Sequence, residues 1–170
     1  MMRRVSKAAL VIGAACLPLP AVAGADKAST PGISVIREGS TEKSSGAAAN
    51  FTGTVQVEGR FQREAPARIG GATVTFAPGA HTAWHTHPLG QTLVVTRGYG
   101  YVQQWGQQAE RFGPGDVVWI GPGIKHWHGA GPNEAMTHVA LAESSNGQSV
   151  VWGELVSDAQ YRQVTRGQPR

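Results

Sequence analysis

From Phe51 onward the chain is cut into strand-length pieces, and this limits it to a narrow set of folds. Phe51–Val57, Ala72–Phe76, Gln91–Arg97, Tyr99–Trp105, Asp116–Ile120, Ala135–Glu143 and Ser149–Glu154 are each five to nine residues long. Pro78-Gly79, Gly98, Gly106, Gly113-Pro114-Gly115, Gly121-Pro122-Gly123, Gly131-Pro132-Asn133 and Asn146-Gly147 separate them. Glycine supplies the positive φ of tight turns and proline presets a turn position, so these breaks end strands. Phe51–Val57 and Ala72–Phe76 also alternate apolar and polar residues, the period of a half-buried strand. A helix start is found only near the end, where Ser157-Asp158 precedes Ala159 to Gln163. Heptads and solenoid repeats are absent. The pattern predicts an all-β sandwich or barrel with one short C-terminal helix.

The histidines lie within this frame. His85 and His87 are two apart in a strand-like segment, so their rings leave the same face. Gln91 follows four residues on, and His126 comes after a turn-rich insertion. Three imidazoles and a side-chain carbonyl converging from separate segments suit a divalent transition metal of borderline hardness. All four donors are neutral, so a bound divalent ion would keep its full formal charge. It would be a stronger Lewis acid than one beside a carboxylate, at some expense in affinity. His128 shares the face of His126 if its strand stays regular, and Lys125 precedes that pair. His138 alternates with Met136 and Ala140, which points it inward among small neighbours; a base, a core histidine and an orienting partner all fit that position. His81 follows a turn and is expected at the surface. Ala72, Val74, Phe76, Ala140 and Ala142 are candidates either for a small apolar pocket or for a filled core. Trp84 and Trp127 should point away from the neighbouring histidines. No phosphate loop or nucleophile triad is evident.

The first residues belong to another kind of segment. Arg3, Arg4 and Lys7 precede an apolar run from Ala8 to Leu17, and Ala21-Val22-Ala23 offers the small residues a signal peptidase reads. Residues 1–23 are therefore expected to be a cleavable signal peptide, giving a secreted or periplasmic protein with no membrane attachment after cleavage. The run is too short, and too broken by Pro18 and Pro20, for a membrane span. Cleavage removes three basic residues and no acidic one, so the net charge falls from +4 to +1. With no basic stripe, nucleic acid is not an expected partner. Cys16, the only cysteine, leaves with the signal, so disulfides are excluded. Residues 24–50 read as a flexible segment in which Ile33–Ile36 is strand-like and suited to a sheet edge, of this chain or of a partner subunit. The folded domain is expected over 51–165, with 166–170 as a tail. Sheet edges in need of cover predict a dimer or tetramer.

Gly79, five residues, His85-Thr86-His87, three residues, Gln91, six residues and Gly98 resemble the first cupin motif, with Gln91 where glutamate is usual. Gly115, Pro122-Gly123, two residues and His126 resemble the second, with Gly121 in place of the usual proline and Ala130 in place of asparagine. The two motifs together cover about fifty residues. Phe51 to Val55, Thr82 to Leu93, Lys125 to Ala130, Met136 to His138 and Trp152 to Arg162 extend the likeness. They resemble the small single-domain cupins that act as manganese-dependent hydroxynitrile lyases, a group also labelled as cupin companions of carboxymuconolactone decarboxylases.

That resemblance implies a cupin β-barrel (a double-stranded β-helix or jelly roll). It also implies His85, His87, Gln91 and His126 as metal ligands, with Mn²⁺ ahead of Fe²⁺, Zn²⁺, Ni²⁺ or Cu²⁺. His138 is implied as the catalytic base, with His128 and Lys125 as further catalytic candidates, and a small cyanohydrin such as mandelonitrile as the substrate. The same ligands also suit two other functions: an iron-dependent, dioxygenase-like oxidoreductase, and an exported cupin that binds a small ligand or metal without turnover.

Overall fold

The computed structural model describes residues 32–166, so the expected signal peptide and residues 167–170 lie outside the described residues. Of the described residues, 35–166 form one compact unit. In chain order the first strands are β1 (Ser44–Ser45), β2 (Phe51–Thr52), β3 (Val55–Gln62), β4 (Ile69–Phe76), β5 (His81–Thr82), β6 (His85–Thr86) and β7 (Gln91–Arg97). They are followed by β8 (Gly100–Gln104), β9 (Glu110–Phe112), β10 (Val117–Ile120), β11 (His126–Ala130), β12 (Met136–Glu143), β13 (Val151–Trp152) and the helix α1 (Asp158–Thr165).

Two antiparallel sheets build the barrel. One runs β1-β3-β4-β12-β7-β10; the other runs β13-β6-β11-β5-β2, with β8 joining β11 to β9. Leu93, Ala140 and Ala72 align across the centre of the first sheet, as do Val95, His138 and Val74. These are inward rows. Val55, Val57, Val74, Phe76, Val95 and Met136 from this sheet meet Ala80, Phe112 and Ala130 from the other side in one buried cluster. Trp84, Tyr101, Trp127, Val156 and Tyr161 form a second cluster that joins α1 to the second sheet. Trp127 and His126 are neighbours on β11, so alternation sends the tryptophan to the helix side and the histidine to the interior.

The fold is the expected all-β barrel with a C-terminal helix, but three local expectations need correction. Phe51–Val57 is not one strand. β2 pairs with β5 in one sheet and β3 with β4 in the other, and the chain crosses between them at Gly53. Gly53 has φ +80°, and a Cβ there would lie 3.0 Å from Ala80. Ile33–Ile36 forms no strand; the edge partner is β1, which aligns Ser44 with Val57 inside the stretch expected to be flexible. His81 is buried, stacked on Tyr161 at a centroid distance of 4.5 Å. The helix start is as expected: Ser157 caps α1, with Gln160 reaching back to complete a capping box.

Candidate metal centre

β6, β7 and β11 bring the predicted donors to one place. β11 aligns His126 with His85 of β6, and their ring centroids are 4.1 Å apart. His87 lies beyond the end of β6 and reaches the same group, 5.2 Å from His85 and 5.7 Å from His126. β11 stays regular, so His128 stacks behind His126 at 5.9 Å with planes 20° apart. Nitrogens of His85, His126 and His128 all lie within 4.8 Å of one another. His128, a catalytic candidate by sequence, therefore belongs geometrically to a group of donors with His85 and His126. Such a group can bind a metal ion.

Backbone carbonyls set the tautomers. Nδ1 of His85 donates to Ala83, that of His87 to Ser149 and that of His126 to Ile124, at 2.9, 2.6 and 2.8 Å. A carbonyl can only accept, so in each neutral ring the proton sits on Nδ1 and Nε2 carries a lone pair. Nε2 of His126 then faces Oε1 of Gln91 at 3.1 Å. These are two lone-pair acceptors in contact, an arrangement that a cation between them would relieve. Nε2 of His87 and of His128 are buried without a hydrogen-bond partner. Buried nitrogens of this kind are costly unless something binds them. The donor set thus fits a divalent transition metal held by imidazole and amide oxygen.

Burial keeps every one of these rings neutral. It is the main cause that lowers His87, holds His85 well below the ordinary histidine value with help from nearby His126, and drops His126 to about 4. His128 is also held well below the ordinary value, by burial first and His138 second. His138 falls to about 4, again through burial. Nε2 of His138 lies 3.3 Å from Nδ1 of His128, so the two rings share one proton-bearing contact inside the barrel.

A cavity of about 640 Å³ opens onto His85, His87, Gln91, His128 and His138. Val57, Ala72, Val74, Phe76, Ala140 and Ala142 supply its apolar wall. Trp152 closes on His85 at 4.8 Å and also lines the space. The pairing of β13 with β6, a contact between distant segments, is what brings it there. Lys125 is placed elsewhere. Its ammonium meets the Glu154 carboxylate and lies 3.7 Å from the centroid of the Trp105 ring, and it does not line the cavity.

Comparison with known proteins agrees with this picture. Residues 72–140 match the cupin domain family. The chain is 55% identical to an (R)-mandelonitrile lyase of Granulicella tundricola over 130 residues, which cover 76% of this chain and 99% of that protein. A cupin-like protein of Thermotoga maritima superposes with a TM-score of 0.69 at 38% identity, over 74% of this chain and 95% of its own. A cupin-2 domain protein of Rhodospirillum rubrum shares the fold at a TM-score of 0.55 and 18% identity, over 79% and 87% of the respective chains.

Proposed function

The chain belongs to the cupin family, and on that premise we propose that it is a metal-dependent lyase that cleaves and forms cyanohydrins such as mandelonitrile. The observation that carries this reading is the 55% identity running through 99% of the (R)-mandelonitrile lyase. Neutral donors beside an apolar cavity support it. His85, His87, Gln91 and His126 would hold the ion, and manganese is the metal we assign. When bound, a divalent ion supplies Lewis acidity toward a substrate oxygen.

The chain's own residues supply the remainder. The wall from Ala72 to Ala142 excludes water and seats an apolar ring. The cyanohydrin must lose its hydroxyl proton as its carbon–carbon bond breaks. The O–H pair becomes the second bond of the aldehyde carbonyl, and the carbon–carbon pair leaves with cyanide. The proton goes first to the His128–His138 pair. Whichever ring donates the shared hydrogen bond, a nitrogen of the pair (Nδ1 of His138 or Nε2 of His128) keeps a free lone pair. Burial holds both rings neutral, as a base must be, and the pair then returns the proton to cyanide as hydrogen cyanide. Lys125, engaged by Glu154 and Trp105, takes no part in this proposal.

Cyanide release from racemic mandelonitrile by manganese-loaded protein is the test. We expect His126→Ala to lose both metal and release. His138→Ala should keep its metal and lose about a hundredfold or more in rate, the usual worth of a positioned base. No release from protein verified to hold its metal would end the lyase reading.

Two wider inferences accompany it. Export is inferred from the N-terminal segment, and the mature chain should begin at Gly24 when its N-terminus is sequenced. A homodimer is inferred from the outer face of the first sheet. There Val117, Val94 and Val139 form one row and Trp119, Thr92 and Leu141 the next, with no charge in either. Trp119 and Val117 are 62% and 65% exposed at the open edge. Val117→Glu with Trp119→Lys should shift the mass by light scattering from dimer to monomer, and an unchanged mass would remove that face as the interface.

A further inference from the structure

β3 loses its alternation at one point. Glu58 aligns with Thr73 and Phe61 with Gly71, so Gly59 and Arg60 together oppose the single residue Ala72. Gly59 makes this bulge at φ +62°, a conformation that costs other residues about 1–2 kcal/mol. An unbroken strand carrying Val55 and Val57 inward would have turned Arg60 to solvent. The bulge shifts the phase, and Arg60 joins the row of Ala72 and Ala140 and lines the cavity while staying exposed to solvent.

Its surroundings give this placement meaning. Among the described residues that line the cavity, Arg60 is the only Lys, Arg, Asp or Glu. Within the described residues its guanidinium forms no ion pair, and its hydrogen bond is to the Ser44 hydroxyl at 3.3 Å. Neighbouring Gln62 offers it no competition for an anion, because its amide nitrogen is turned back to the carbonyls of Arg63 and Arg68. On the adjoining wall the Gln62 side chain covers Gly70, and those of Phe61 and Leu141 cover Gly71. β3 stands two strands from β12, the strand of His138, which is roughly 10 Å at ordinary strand spacing. That backbone separation is of the order of the length of a para-substituted aromatic ring.

Resting on the lyase reading, we propose that the pocket selects substrates bearing a carboxylate at the end remote from the reacting carbon, and that Arg60 receives that group. A planar guanidinium pairs with a carboxylate through two parallel hydrogen bonds, and a cavity without a competing carboxylate leaves those donors available. Arg60 is thus a specificity-determining residue that touches the far end of the substrate and takes no part in the proton transfers.

The experiment compares 4-formylbenzoate with benzaldehyde as ligands, and the corresponding cyanohydrins as substrates, in manganese-loaded wild type, Arg60→Gln and Arg60→Lys. Binding is read by isothermal titration calorimetry. Wild type should prefer the carboxylate-bearing partner by tenfold or more in Kd and KM. Arg60→Gln should bring that ratio near one, Arg60→Lys should restore part of it, and added salt should reduce it. Equal affinities in wild type, or a preference that survives in Arg60→Gln, would overturn the proposal. An Arg60-dependent binding preference without turnover of either cyanohydrin would sustain the anion site and remove the lyase reading instead.

Discussion

Gln91 does most to set the electrostatics of the site. Its amide oxygen faces Nε2 of His126 at 3.1 Å without bringing a charge into a group of buried neutral rings. Gln91→Glu keeps the shape and adds that charge. A carboxylate should hold a divalent ion more tightly and reduce its pull on a substrate oxygen. We expect slower metal loss to a chelator, by tenfold or more, together with at least a tenfold fall in cyanohydrin cleavage. Unchanged or faster cleavage would refute the charge argument. At this scale the sequence was most informative, because spacing by two along a strand places His85 with His87 and His126 with His128. Arg60 was not legible, since its direction depends on a bulge whose position only the register of β3 against β4 reveals.

Among the elements, α1 has the clearest separable supports. Ser157 accepts from the Gln160 backbone, Gln160 returns to the Ser157 backbone, and Tyr161 donates to the Ala130 carbonyl at 2.8 Å. Ser157→Ala should cost about 1 kcal/mol by removing the cap. Tyr161→Phe leaves the buried Ala130 carbonyl without that partner and should cost a similar or larger amount, about 1–3 kcal/mol. Urea unfolding checks both, and a Tyr161→Phe value near zero would mean that α1 is held by its apolar contacts alone. The capping box was readable in the chain. The division of Phe51–Val57 between two sheets was not, because alternation continues past Gly53 unchanged and carries no information about which sheet receives each half. β9 also escaped notice, being three residues in a polar stretch that β8 recruits by pairing.

The barrel as a whole stores its histidines neutral, and that makes its stability depend on pH. His126 and His138 stand at about 4 in the folded protein, against 6.5 when solvated. The folded value is the lower one, so this stability is complete above the unfolded value of 6.5. Between 6.5 and 4 the unfolded chain takes up protons that the folded chain refuses, and stability falls as pH falls. Each of the two accounts for about 3 kcal/mol by pH 4. Metal-free protein should therefore lose Tm steadily from pH 7 to 4.5 in scanning calorimetry. Manganese should raise Tm most at the neutral end, where protons do not compete for Nε2. A flat profile for metal-free protein would show that the rings titrate in the barrel as they do in the unfolded chain.

The all-β class, the turn positions, the helix start and the residues of both histidine motifs were determined by the sequence itself. Each follows from local rules: a period of two, turn chemistry and spacing along a strand. Tertiary structure alone decided that His128 sits within 4.8 Å of His85 and His126 and that it touches His138. It also set Lys125 against Glu154 and Trp105, and brought the exposed Arg60 to the lining of the cavity. Those outcomes depend on which strands pair and in what register, and pairing between segments distant along the chain is settled by burial of the whole barrel rather than by neighbouring residues.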